Sequence, residues 1–302
     1  MKSMRIPLII ALGIAIIGIV FGSFFDLNIS TAIASPSNAF GLTISAIGPT
    51  IGFAAVAAMG GGFIAFIVKG KYHIALKILF GVLAAGCFYV AIRFPAGEWF
   101  GVNGFYGAAP EKIGYLVVIV PEAAAAVGGY FLFKDCQNKN MWIIFCIIIG
   151  ILGMVLVVII TTLKGTMHRP RYRLISTTDL VAFHNWWEPC KDYKELIAAN
   201  GFNEDNFKSY PSGHTAETSI LFVATVFLPL ADNRFKKYQT PMLIFSSVMV
   251  LLVAFARILA AAHFLSDVST GATIMLVCLF IANEVVMRIK QLQPNEETVE
   301  NK

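Results

Sequence analysis

The sequence predicts an all-α, polytopic transmembrane helix bundle of about eight spans with an extracytoplasmic active-site face. Three observations carry this. Of its 302 residues, 57% are hydrophobic and only 14% are charged, where a soluble domain carries roughly a quarter charged. The mean hydropathy is +0.74. Uncharged runs recur along the chain, several reaching the ~20 residues that a bilayer-crossing helix needs. Hydrocarbon offers the backbone no water, so such runs must be helical, and the alternation of a membrane barrel is absent.

The spans fall at 6–25, 43–68, 74–93, 114–133, 141–163, 215–230, 241–262 and 268–288. Before the first stands the short basic start Met1-Lys2-Ser3-Met4-Arg5, and Ala32-Ile33-Ala34 resembles a signal-cleavage site. The run 6–25 is long for a signal and far from that triplet, so an uncleaved first span is expected. In the second, Ala54, Ala58 and Gly62 form a small-residue face for close helix approach, and Gly60-Gly61-Gly62 allows a bend. The connection 94–113 carries Trp99, Phe100, Phe105 and Tyr106, which suit a membrane interface. Glu122, after Pro121 in the fourth span, either marks a pathway or pairs inside the bundle. The first five spans hold little other chemistry. The longest connection, 172–210, is a lid or a solvated cap. There Phe183, Trp186 and Trp187 are suited to headgroups, while Asp192, Lys194, Glu195, Glu204 and Asp205 are expected to face water. The sixth span is the weakest, being short with a polar start. Three regions result: N-terminal helices 1–140, a core 141–290 containing the loop 172–210, and a cytoplasmic tail 291–302.

An even number of spans puts both termini on one side. Arg5, Lys69, Lys71, Lys134, Lys139 and Arg288 lie on that side in or beside short loops, which the positive-inside rule makes cytoplasmic. The expected setting is the plasma membrane, with an endomembrane and lumenal site obeying the same charge logic. The net charge of +5 does not suggest nucleic acid. The five scattered cysteines imply no disulfide framework.

Chemistry gathers at the outer helix ends. Lys164 and Arg171 follow the fifth span, where two cations can neutralise a phosphate or merely anchor a helix. Pro211-Ser212-Gly213-His214 opens the sixth. Ser212 and the Gly213 amide at a helix start make an anion site, or a plain N-cap, and His214 can protonate a leaving oxygen. Glu217 either orients His214 or complements the helix dipole. Between the last two spans lies Arg257-x5-His263-x3-Asp267. Four residues apart on a helix, His263 and Asp267 would share a face. A carboxylate bonded to one imidazole nitrogen fixes the tautomer and makes the other nitrogen a better nucleophile. Arg257 converges on His263 only if the helix ends between them.

These three clusters, in this order, resemble the type-2 phosphatidic acid phosphatase superfamily, which spans membrane lipid phosphate phosphatases and soluble vanadium haloperoxidases. The family pattern is Lys-x6-Arg-Pro, then Pro-Ser-Gly-His, then Ser-Arg-x5-His-x3-Asp. Here Tyr172 replaces the Pro after Arg171, Arg169-Pro170 stands two residues earlier, and Ala256 replaces the Ser. Arg169 is therefore a rival for the Arg171 role. The resemblance covers roughly 164–270. It implies that His263 attacks phosphorus to form a phosphohistidine, Asp267 orients it, and His214 protonates the leaving group. Lys164, Arg171, Ser212, Gly213 and Arg257 would bind the phosphoryl oxygens. No metal or other cofactor is implied, and no His or Cys cluster has metal-ligand spacing in sequence. The expected activity is hydrolysis of a lipid phosphate or pyrophosphate, with undecaprenyl or another polyprenyl pyrophosphate first. Phosphatidate or phosphatidylglycerophosphate is the alternative substrate. Lipid phosphotransfer on the same site and a non-catalytic lipid transporter using Glu122 are the competing functions.

Overall fold

The computed structural model describes residues 4–99, 111–136 and 138–292. Among them there are only helices, turns and loops. Helices α1 (Arg5–Ile33), α2 (Ala39–Lys69), α3 (Ile74–Trp99) and α4 (Glu111–Phe133) come first. Next, α5 (Lys139–Val155) continues through a π turn, Leu156–Ile160, into α6 (Thr161–Met167). The long connection holds α7 (Tyr172–Ile175), α8 (Tyr193–Asn200) and a 3-10 turn, Glu204–Phe207. Then α9 (Gly213–Ser219) leads into α10 (Leu221–Ala231), followed by α11 (Gln239–Leu259) and α12 (Leu265–Leu292). Eight helical stretches are long and apolar enough to cross a membrane.

The expected polytopic bundle is present, with two differences at helix ends. The first helix runs on to Ile33 and the third to Trp99, well past the expected ends at 25 and 93. The charges that close a hydropathy window, Asp26 and Glu98, sit inside helices because each finds a polar partner there. Trp99 donates Nε1–H to Thr50 Oγ1 at 3.1 Å. Phe100, Phe105, Tyr106 and the tail from residue 293 lie outside the described residues.

The bundle explains why the sixth span looked weakest. The stretch Gly213–Ala231 is the most enclosed of the eight, so it meets protein rather than lipid and tolerates hydroxyls. Thr218 Oγ1 donates to the His214 carbonyl at 2.8 Å, and Ser219 Oγ to the Thr215 carbonyl at 2.7 Å. Outer helices are apolar all round, with Ile17 and Phe24 on α1 exposed.

Helix α1 packs along α12, and α2 packs on both α3 and α4. The α2–α4 crossing is a backbone contact. A Cβ on Gly61 would lie 1.8 Å from the Ala126 carbonyl oxygen, and one on Gly129 would lie 1.9 Å from that of Ala58. The expected small-residue face is thus used at Ala58, whereas Gly62 faces the Trp142 and Phe133 rings. Gly60-Gly61-Gly62 does not break α2. Replacing Gly61 by Leu should destabilise the protein by at least about 1–3 kcal/mol through overpacking. Gly86→Leu should be near neutral, because a Cβ there meets nothing within 4 Å. Thermal unfolding in detergent compares the two.

Candidate functional site

All three motif clusters meet at one end of the bundle. Arg5 Nε at the start of α1 lies 3.4 Å from Glu284 Oε1 in the last third of α12, while Asp26 reaches Ser266 at the start of α12. Helices α1 and α12 are therefore antiparallel, and the site lies where α1 ends and α12 begins.

The chain break that builds the site follows α11. Ala261 adopts a left-handed φ of 55°, uncommon for a residue with a Cβ. The amides of Ala262 and His263 both donate to the Arg257 carbonyl, at 3.1 and 3.2 Å. This tight return brings His263 back beside Arg257, as the expected helix end required. His263 itself precedes α12, so it and Asp267 do not share one helix face.

Their contact differs accordingly. His263 Nδ1 lies 2.5 Å from the Ser209 carbonyl oxygen, and Asp267 Oδ2 is 3.8 Å from Nδ1, beyond hydrogen-bond reach. A carbonyl can only accept, so Nδ1 carries the proton and Nε2 holds a lone pair. Nε2 is buried and has no protein partner among the described residues. Burial pushes the imidazole well below its ordinary range, with the Asp267 carboxylate opposing. His263 is therefore neutral.

Asp267 is fixed by other groups. It accepts from Ser209 Oγ at 2.6 Å, the Phe264 amide at 2.8 Å and Arg169 Nη1 at 2.5 Å. Arg169 is fully enclosed. It also donates to Asp26 at 2.9 Å, Ser266 Oγ at 2.9 Å and the His184 carbonyl at 2.8 Å. Its guanidinium lies over the Phe264 ring, 4.3 Å from the centroid. These bonds hold the Arg169 guanidinium within the protein. Its role is to brace Asp267.

Arg171 turns the other way. Its Nη2 pairs with Asp205 at 3.0 Å, and its buried Nε has no partner among the described residues. The charges of Lys164, Arg171 and Arg257 act on one another and on His263. Lys164 Nζ lies 3.7 Å from where a Cβ on Gly213 would stand, which brings this cation to the start of α9. Ser212 caps α9, accepting from the Thr215 amide at 3.4 Å and Thr215 Oγ1 at 3.1 Å. Its amide donates to the Asp267 carbonyl at 3.0 Å.

Two expectations about loops need correction. Asp205 does not simply face water, since it also takes Arg173 at 2.8 Å. Burial raises its carboxyl, but Arg171 and Arg173 outweigh that and hold it below the usual range. Phe183 and Trp186, expected to suit headgroups, have partners within the protein. Phe183 packs edge-on to Phe264, and Trp186 stacks on Tyr210 and donates to Ser23 Oγ at 2.9 Å. Only Trp187 of the three is exposed.

Sequence reasoning missed Glu98, Asp26 and Ser209. His214 Nε2 lies 2.8 Å from Glu98 Oε2 at the end of α3, so Glu98 rather than Glu217 partners His214. Glu217 Oε1 instead lies 3.8 Å from the Gly213 Cβ position, close to Lys164. The one available signal was a carboxylate near each of two apolar span ends. Glu122 is buried in α4 with neither carboxylate oxygen partnered among the described residues, so the expected pairing inside the bundle is not seen.

A bundle of eight apolar helices with a neutral histidine and a cation cluster at one end is a membrane protein with a site suited to a phosphoryl anion. The sequence model of the PAP2 superfamily matches residues 139–291, just over half the chain, and the chain belongs to that superfamily. No curated protein and no solved structure matches it. Asp26 and Glu98 lie outside the matched residues.

Removing Arg169 leaves two buried carboxylates facing each other. Arg169→Leu should cost about 3–5 kcal/mol, and Asp26→Asn less, since Asp267 still counters the guanidinium. Detergent-solubilised unfolding measures both. The buried neutral His263 also predicts a pH dependence. The unfolded chain takes up this proton below about pH 6.5 while the folded one does not, so stability falls as pH drops there, by at most about 1.4 kcal/mol per unit. His263→Gln should flatten that slope in unfolding curves between pH 7 and 5.

Proposed function

We propose that the protein is an integral-membrane lipid phosphatase working through a phosphohistidine, with polyprenyl pyrophosphate such as undecaprenyl pyrophosphate as the first substrate to test. The observation that carries this is the His263 imidazole, whose Nδ1 is tied to the Ser209 carbonyl and whose Nε2 is unpartnered beside three cations. Membership of the PAP2 superfamily and the membrane-type helix bundle support phosphatase chemistry on a lipid.

The Nε2 lone pair attacks phosphorus, and a P–N bond forms as the P–O bond to the lipid breaks. His214 gives a ring proton to the leaving oxygen. Water then attacks the phosphohistidine, returning a proton to His214, and inorganic phosphate leaves. Lys164, Arg171, Arg257, the Ser212 hydroxyl and the Gly213 amide hold the phosphoryl oxygens, which makes a metal unnecessary at phosphorus. The Asp267 carboxylate stabilises the cationic phosphohistidine, and Arg169 fixes that carboxylate. Glu98 is a positioning residue that aims His214. Positive-inside charge supports cytoplasmic termini and an extracytoplasmic site, where a lipid head reaches the cluster while its tail stays in the bilayer.

Phosphate release in EDTA should be seen from polyprenyl pyrophosphate, phosphatidate or phosphatidylglycerophosphate, and the rates rank the lipids. Loss of release in folded His263→Ala, with no acid-labile phosphoprotein, is expected. Transfer to a lipid without free phosphate would mean phosphotransfer instead. His214→Ala should lower kcat on a lipid phosphate by on the order of 10²-fold or more, with Glu98→Gln giving a smaller loss in the same sense. Both should spare the p-nitrophenolate burst from p-nitrophenyl phosphate, the phosphorylation step, whose leaving group needs no proton. Equal loss on both substrates would sink the general-acid assignment.

A further inference from the structure

Folding assembles a cluster that the sequence spacing did not reveal. In the long connection, His184, Cys190 and Asp192 bring one imidazole nitrogen, the thiol and one carboxylate oxygen within 4.8 Å of one another. Cys190 Sγ is 3.3 Å from Asp192 Oδ1. Tetrahedral zinc with bonds of about 2.0–2.3 Å keeps its ligand atoms about 3.5 Å apart. The thiol–carboxylate edge already has that length, and a small rotation of His184 closes the others. The hydrogen bond that His184 makes to Arg169 Nε goes through its backbone carbonyl and leaves the imidazole out of it.

The three are not a loose surface group. Cys190 is buried in a small apolar cluster with Leu174, Val181 and Phe207, and its amide donates to the Met167 carbonyl at 3.0 Å. Asp192 is exposed, which leaves an entry path and a fourth position for water. One thiolate, one imidazole and one carboxylate select a borderline divalent ion rather than magnesium or calcium, which prefer oxygen alone.

We propose that His184, Cys190 and Asp192 form a zinc site that staples the segment 184–192 over the histidine site. On binding, the Cys190 thiol releases its proton to water and coordinates as thiolate. The staple acts where the segment already touches the machinery. The His184 carbonyl accepts from Arg169 Nε, and Trp186 stacks on Tyr210. The ion takes no part in the reaction at phosphorus. It stiffens the surface that holds Arg169, so the site stands whether or not the phosphatase reading is right.

The test is equilibrium zinc binding by the untagged full-length protein in detergent, with total metal measured on the separated protein. Wild type should hold one zinc per chain. Cys190→Ser and His184→Ala should each weaken it by at least about 100-fold, because even outer-shell losses cost 10–100-fold. Cys136→Ser, far from the cluster, should bind as wild type does. Cobalt substitution should give a thiolate charge-transfer band that Cys190→Ser lacks. Hydrogen exchange should show residues 184–192 protected by zinc in wild type and not in His184→Ala. Wild type without stoichiometric zinc, or Cys190→Ser binding as tightly as wild type, overturns the site. Should Cys190→Ser not fold, His184→Ala and Asp192→Asn decide by the same readings. Phosphate release is not among these readouts, so failure here and failure of the phosphatase reading are separate results.

Discussion

The rest of the site depends on one buried cation. Arg169 sits between Asp26 on α1 and Asp267 on α12, and it also donates to Ser266 and the His184 carbonyl. Burying two carboxylates and a guanidinium is tolerable only when every donor and acceptor is matched. Here the match joins the first helix, the last helix and the long connection at one point. Asp267 is thereby held where its charge reaches His263, although it does not bond to that ring.

This brace changes the status of the helices that precede the matched family segment. Asp26 and Glu98 both come from that part of the chain, and each reaches a motif residue or its direct support. The leading helices contribute a carboxylate to each of the two histidine environments. Their own packing relies on backbone contact at Gly61 and Gly129, because helices in lipid gain little from burying apolar side chains and associate through close fit. A defect at that crossing would be felt through α3 at Glu98.

The electrostatics of the site follow from enclosure. Lys164, Arg171 and Arg257 crowd together, with Asp205, Glu98 and Glu217 as the nearby carboxylates. Mutual repulsion of the cations favours a multiply charged anion among them, and the low dielectric strengthens that attraction. The same burial keeps His263 neutral, and a neutral imidazole is what a nucleophile requires. A cation cluster and a neutral imidazole with an unpartnered nitrogen thus arise from one enclosed volume.

The sequence by itself determined the helical class, the number of spans and the three motif clusters, since hydropathy and short spacings are local properties. It also foretold the break between Arg257 and His263, because six residues on one straight helix would point the two apart. Tertiary structure decided the partners. His263 takes the Ser209 carbonyl, 54 residues away in sequence, and His214 takes Glu98, 116 away. It turned Arg169 onto Asp26 and Asp267, and it drew His184, Cys190 and Asp192 together. No spacing rule encodes such pairs. They form because an enclosed polar group must find a complement among whatever the packed helices bring within reach.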